Sequence, residues 1–180
     1  FALATQEKQL YDQVTNYVQN QFNLAENLNK QRKGNIGFAL TILQRRLASS
    51  PMAIYKSLKR RLRHLEKQLK EVLENKSNAI VDDSAFSGYD NLYDYLDELD
   101  ESQQEIVEDE ILDRSTAAQS IPELEREISI LNELTEKALM VLKSDCDQKW
   151  KELSDLLQSN KMKDENGEYR KIIIFSEHKD

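Results

Sequence analysis

Apolar residues recur at helical spacing along most of the 180-residue chain. Leu10, Val14, Tyr17, Val18 and Phe22 share one helical face, and Leu24 and Leu28 continue it. Thr5 is read as the cap of this first helix, with Glu7 near its positive end. Gly34 is read as breaking or loosening the chain. A second helix is expected from about Asn35 to Ala48, with Phe38, Ile42 and Leu43 as its apolar face. Ser49-Ser50-Pro51 then signals a restart, with Ser50 as N-cap and Pro51 at the first helical position.

The third helix has the clearest pattern. Ile54, Leu58, Leu62, Leu65, Leu69 and Val72 trace a seam close to a heptad repeat, and Lys and Arg fill the other faces. Residues 82–90 read as a loop. Leu92 to Leu112 allow one or two short acidic helices. Ser120 and Glu123 form a capping-box pattern opening a helix with Leu124, Ile128, Leu131, Leu134, Ala138, Val141 and Leu142 inward. It is read as continuing through Trp150, Leu153 and Leu157. Asn166-Gly167 signals a turn. Ile172, Ile173, Ile174 and Phe175 are apolar without alternation, as in a strand covered on both faces. No second strand is at hand to pair with it.

These elements predict a mainly α chain. Its centre would be a pair of long antiparallel helices, a coiled-coil-like hairpin, with an acidic insert at the far end and one C-terminal orphan strand. Composition agrees: 4 Gly and 2 Pro are too few for the many turns of a β-sandwich or barrel. No apolar run approaches about 18 residues, so no membrane partner is expected. The chain opens on Phe1, shows no basic-then-apolar leader, and is read as a cytoplasmic fragment of something larger.

Charge is segregated. Residues 1–76 carry a net +8, residues 77–114 a net −12 and residues 115–180 a net −4. Local fields of this kind decide partners more than the total of −8 does. Arg45, Arg46, Lys59, Arg60, Arg61 and Arg63 are therefore candidates for contact with a duplex DNA backbone. Two bland readings stay open. The cations are the charged exterior of a long helix, or they neutralise the acidic insert within the chain. The acidic run Asp94–Asp113 lacks the alternation of a calcium loop and reads as a solvated face or mobile loop.

Catalytic and metal chemistry find little purchase. Glycines at 34, 37, 88 and 167 cannot form a G-x-x-x-x-G-K-[ST] phosphate loop. His64 and His178 are 114 positions apart, without ligand-like companions, and read as ordinary polar residues. Cys146 lies between Asp145 and Asp147, which raise rather than lower a thiol pKa. One cysteine also excludes a disulfide framework. No catalytic residue, metal ligand or resident cofactor is expected.

Three stretches, in order, resemble one known arrangement: FALATQEKQLYDQVTNYVQNQFNLAENL (1–28), IGFALTILQRRLASSPMAIYKSLKRRLR (36–63), and a tail of WKELSDLL followed by RKIIIFSEHKD. Together they resemble the bacterial branch of the Swi/Snf family of superfamily-two helicase-like ATPases. The IGFALTILQRRLASSP segment is the most specific, and 77–118 matches no part of the pattern. The resemblance implies three parts: residues 1–50 as helices following the first motor lobe, 51–165 as a helical hairpin with its insert at 77–118, and 166–180 as the opening strand of the second RecA-like lobe. It also implies a parent that uses ATP and magnesium to translocate on duplex DNA. This stretch would itself be non-catalytic, because the Walker A lysine, the acidic motif and the arginine finger would all lie outside it. Its implied partners are the two motor lobes and duplex DNA. Apart from the resemblance, the uncovered run Ile172, Ile173, Ile174 and Phe175 offers unpaired strand backbone for self-association. The other reading of the residues is a stand-alone coiled-coil interaction module.

Overall fold

A computed structural model describes residues 3–75, 95–96, 98–144, 148–159, 162–163, 167–169, 171 and 173. Within them the chain is mainly helical. The elements are α1 (Thr5–Ala25), α2 (Lys30–Ser49), α3 (Pro51–Asn75), α4 (Glu101–Arg114), α5 (Ile121–Lys143) and α6 (Gln148–Gln158).

Local sequence explains most helix ends, with three departures from expectation. Thr5 is the first helical residue of α1 rather than its cap. Glu7 supplies the capping contact by accepting the Ala4 N–H at 3.0 Å. Gly34 does not break the chain: Asn29 caps α2 by accepting the Arg32 N–H at 2.8 Å, so α2 starts upstream of the glycine and carries it in its first turns. A cap and a long buried face outweigh the cost of about 1 kcal/mol for one helical glycine. Ser120 is the N-cap of α5 but forms no side-chain cap bond. Glu123 reaches one residue further back and accepts the Gln119 N–H at 2.7 Å, so the capping box is not made. The α3 restart agrees with its signal: Ser50 Oγ accepts the Ala53 N–H at 3.0 Å and Pro51 opens the helix.

The helix expected to run from 121 to 157 appears as two described elements. Ser144 ends α5 by donating its N–H to the Met140 and Val141 carbonyls, and α6 begins at Gln148. Cys146 lies outside the described residues.

One hydrophobic core runs from Leu10 in α1 to Val141 in α5. α3 and α5 pack most intimately, with Leu58, Leu65, Leu124 and Leu131 fully enclosed. Arg61 meets Glu127, while Ile54 and Val141 share a cleft at the other end, so the two helices pass in opposite directions. α1 crosses α2 closely at Gly37, where an added Cβ would come within 3.3 Å of the Phe22 ring. α4 lies against both α2 and α3 and buries Ile111 and Leu112. Within the acidic insert α4 is thus a helix rather than a loop, with one side packed on the core and the other solvated. Thr116, Ala117 and Ala118 continue it as buried chain leading to α5.

The loop read at 82–90 lies outside the described residues, as do Ile172, Ile174, Phe175 and His178. Of the tail, Lys171 and Ile173 are described, belong to no regular element, and leave Ile173 78% exposed. Just before them, Lys163 and Tyr169 form an isolated antiparallel bridge around Gly167, whose φ of 83° suits the turn signal. No described helix is long and apolar enough to cross a membrane.

Candidate functional site

The chemistry of the molecule concentrates where α4 crosses α2 and α3. Arg45 of α2 grips Glu108 with both carboxylate oxygens at 2.8 Å. Arg46 donates to Ser57 Oγ at 2.8 Å and pairs with Asp109. Arg60 of α3 binds Asp113 at 2.9 and 2.7 Å and reaches Asp109 as well. Asp109 therefore bridges an arginine from each of two helices. Asp109 and Asp113, four positions apart, share a face of α4 and share Arg60, while Glu108 stands about 100° round the helix from Asp109 and meets Arg45.

Deeper in, Arg61 is 2% exposed. Its Nε donates to the Tyr17 hydroxyl at 3.0 Å, one Nη to Glu127 at 2.7 Å, and the other Nη to the Leu112 carbonyl. Tyr17 donates its own proton to Glu127 Oε1 at 2.7 Å. Thr116 Oγ1 donates to the second Glu127 oxygen at 2.5 Å and accepts the Ala118 N–H at 3.1 Å. One buried carboxylate thus satisfies donors from α1, α3 and the 115–118 segment. Arg32 of α2 pins that segment from outside through the Thr116 and Ala118 carbonyls.

The local fields follow from these pairings. Burial works against the charge on Arg61, but Tyr17 and Glu127 outweigh it and hold the guanidinium above its ordinary range. Burial, assisted by Glu127, pushes the Tyr17 phenol well above its usual value, so it stays a proton donor. Burial likewise opposes charge on Arg60, and Asp113 and Asp109 overcome it. Asp113 is held above the usual carboxylate range by burial, against the pull of Arg60, with Asp109 adding to the rise.

The residues proposed from sequence as phosphate contacts are brought together but not equally presented. Arg46 and Arg61 are buried and committed to Asp109 and Glu127. The Arg45 and Arg60 side chains are 39% and 35% exposed. Lys59 donates to the Tyr55 hydroxyl at 3.0 Å with its ammonium 5.2 Å from that ring. Arg63 is exposed.

Glu127 and Asp109 were not singled out from sequence. A signal for Glu127 was there: it falls on the same face as Leu124, Leu131, Leu134 and Ala138, where a charge interrupts the inward stripe. Arg61 interrupts the α3 stripe in the same way, four positions before Leu65.

A second feature lies alongside. α1 and α5 leave between them a cleft of about 670 Å³, whose base is formed in part by Tyr17 and Glu127. Among the described residues no cluster of His, Cys, Asp and Glu is disposed to hold a metal ion. Fold and cluster together define a helical bundle cross-tied by arginine–carboxylate pairs. Comparison with protein-family models, curated proteins and solved structures finds no match.

Proposed function

We propose that this chain is the helical connector between the two motor lobes of a Swi/Snf-like ATP-dependent DNA translocase, and is itself non-catalytic. The observation that carries the reading is the charge network. Arg46, Arg60 and Arg61 tie α2 and α3 to α4, and Arg61 with Tyr17 ties α3 to α1 and α5. Removing one partner of such a pair leaves a buried charge uncompensated, so relative motion of the helices is strongly opposed. A stiff body is what converts closure of one lobe on another into displacement. In this reading α3 and α5 act as a coiled-coil-like hairpin, and the tail at 171–175 opens the second lobe. ATP and magnesium belong to the parent. Duplex DNA would meet Lys56, Lys59 and Arg63 with the open edges of Arg45 and Arg60, while the buried Arg46 and Arg61 serve the scaffold.

The flanking coding sequence tests the class: a Walker A motif upstream and an arginine motif downstream are expected, and their absence would sink the reading. In the intact parent, Lys56→Glu with Arg63→Glu should weaken duplex binding and flatten its salt dependence. Unchanged affinity would remove the DNA contact and keep only the mechanical role. One observation favours the interaction-module reading instead: Ile106, Met140 and Trp150 are each about two-thirds exposed. Flanks without motor motifs would turn the assignment to that module.

A further inference from the structure

The outer side of α3 carries a single row of cations. Lys56, Lys59, Arg63, Lys67 and Lys70 follow one another at steps of three and four. At 3.6 residues per turn they fall within about 80° of arc, in a row about 21 Å long. Leu58, Arg61 and Leu65 occupy the opposite, buried side. Lys56, Arg63, Lys67 and Lys70 are exposed, and Lys59 is half-buried over the Tyr55 ring. Glu71 and Glu74 answer Lys67 and Lys70 at 3.7 Å, in solvent-exposed pairs that hold weakly. Among the described residues no carboxylate pairs with Lys56, Lys59 or Arg63.

The path of the chain brings an anion to this row. α3 doubles back on α2, with Arg46 meeting Ser57. α4 doubles back on α2 as well, since Arg45 meets Glu108 while Arg32 meets the Thr116 carbonyl. α4 therefore starts beside the beginning of α3, whereas the chain leaves α3 at its far end, Asn75. Arg46 also holds Asp109 level with Ser57. Glu101 is eight residues before Asp109 and Asn75 is 18 after Ser57, so the return covers about 39 Å. Residues 77–94 lie outside the described residues and can span about 59 Å when extended, so they have the length to run back along the whole of α3.

Charge selects the track. Residues 77–94 hold Asp82, Asp83, Asp90 and Asp94 and no Lys or Arg. α2, α4 and α5 occupy the other sides of α3. The outer side of α4 exposes Glu105 and Glu110 and would repel the segment, whereas the row on α3 attracts it. Leu73, at the far end of α3, is 55% exposed and offers Ile80 and Val81 an apolar partner.

We propose that the acidic segment 77–94 of this chain docks along the outer side of α3, its aspartates pairing with the row Lys56, Lys59, Arg63 and Lys67. Chain direction sets the register: Asp82 and Asp83 meet Lys67 and Arg63, and Asp90 and Asp94 meet Lys59 and Lys56. The contact does not depend on the motor reading, and each can fail without the other.

The test is zero-length cross-linking of the 180-residue chain with a carbodiimide, which joins a carboxylate to a lysine amine in contact with it. An equal mixture of ¹⁵N-labelled and unlabelled chain separates links within one copy from links between copies by mass spectrometry. Links from Asp90 or Asp94 to Lys56 or Lys59, and from Asp82 or Asp83 to Lys67, are expected within one copy. They should disappear at about 1 M salt, where charges are screened beyond about 3 Å. The Lys56→Gln, Lys59→Gln variant should lose the first set, keep the second, and keep the parent's helical circular-dichroism signal. Three results would overturn the proposal: segment 77–94 linked to lysines off the row and not to it, links to the row found only between copies, or a yield of row links indifferent to salt.

Discussion

At the scale of single residues, the decisive group is Glu127. It is 2% exposed and accepts hydrogen bonds from Tyr17, Arg61 and Thr116. Glu127→Gln removes the carboxylate paired to Arg61 while keeping the shape, leaving a buried cation without that counter-charge. The expected loss is about 3–5 kcal/mol of unfolding free energy by urea titration. Replacing both partners, Arg61→Leu with Glu127→Leu, should recover a large part of it, because two apolar side chains leave no buried charge. A double variant as unstable as the sum of the single ones would show that the two side chains are not coupled.

His64 gives a residue-scale pH dependence. It is half-buried, and burial, opposed by Asp113 but aided by Arg114, Lys67 and Arg61, lowers its pKa from the ordinary 6.5. The unfolded chain therefore binds more protons than the folded one just below pH 6.5, and stability falls as pH drops through that value. The fall levels off once the folded His64 is also protonated. Asp113, raised from 3.8, acts in the opposite sense but only at lower pH. The urea midpoint should thus decline from pH 7.5 to pH 5.5, and His64→Gln should flatten that decline. An equal slope in the variant would assign it to other groups.

At the scale of elements, α3 is buried unevenly along its length. Leu65 is fully buried whereas Leu73, near the end of the same helix, is 55% exposed. Leu65→Ala should cost about 2–4 kcal/mol and Leu73→Ala less than about 1, read from urea unfolding. Equal costs would mean that the α3–α5 seam extends beyond the packed region. α4 owes its place to two different forces. Ile111 and Leu112 enter the core, while Glu108, Asp109 and Asp113 face the arginines of α2 and α3. The two sets lie side by side on the inner half of the helix, with Leu112 between Glu108 and Asp109, and a segment this acidic packs because its carboxylates are paired where they are buried.

At the scale of the whole molecule, the described tail residue Ile173 lies outside the core. Ile173 is 78% exposed, and the core cluster ends at Val141. On the proposed reading the apolar run 172–175 is covered by a second lobe in the parent and, without it, by another copy of the chain. Removing residues 171–180 should leave the helical circular-dichroism signal intact and reduce self-association in sedimentation at matched concentration. Loss of most of the helix signal would show that the tail belongs to the helical core.

The apolar spacing alone determined that the chain is mainly helical, and the Ser50-Pro51 punctuation placed the start of α3. Periodicity works there because a helix that buries one face must repeat its apolar residues every three to four positions. It could not show that Gly34 sits inside α2, because a cap at Asn29 and burial of Ile36, Phe38 and Leu40 decide that balance from outside the glycine. Charge segregation drew attention to the arginines, and pairing with the acidic insert was one of the readings left open. Which arginine meets which carboxylate came only from the packing of α4 across α2 and α3, since partners such as Arg45 and Glu108 lie 63 residues apart.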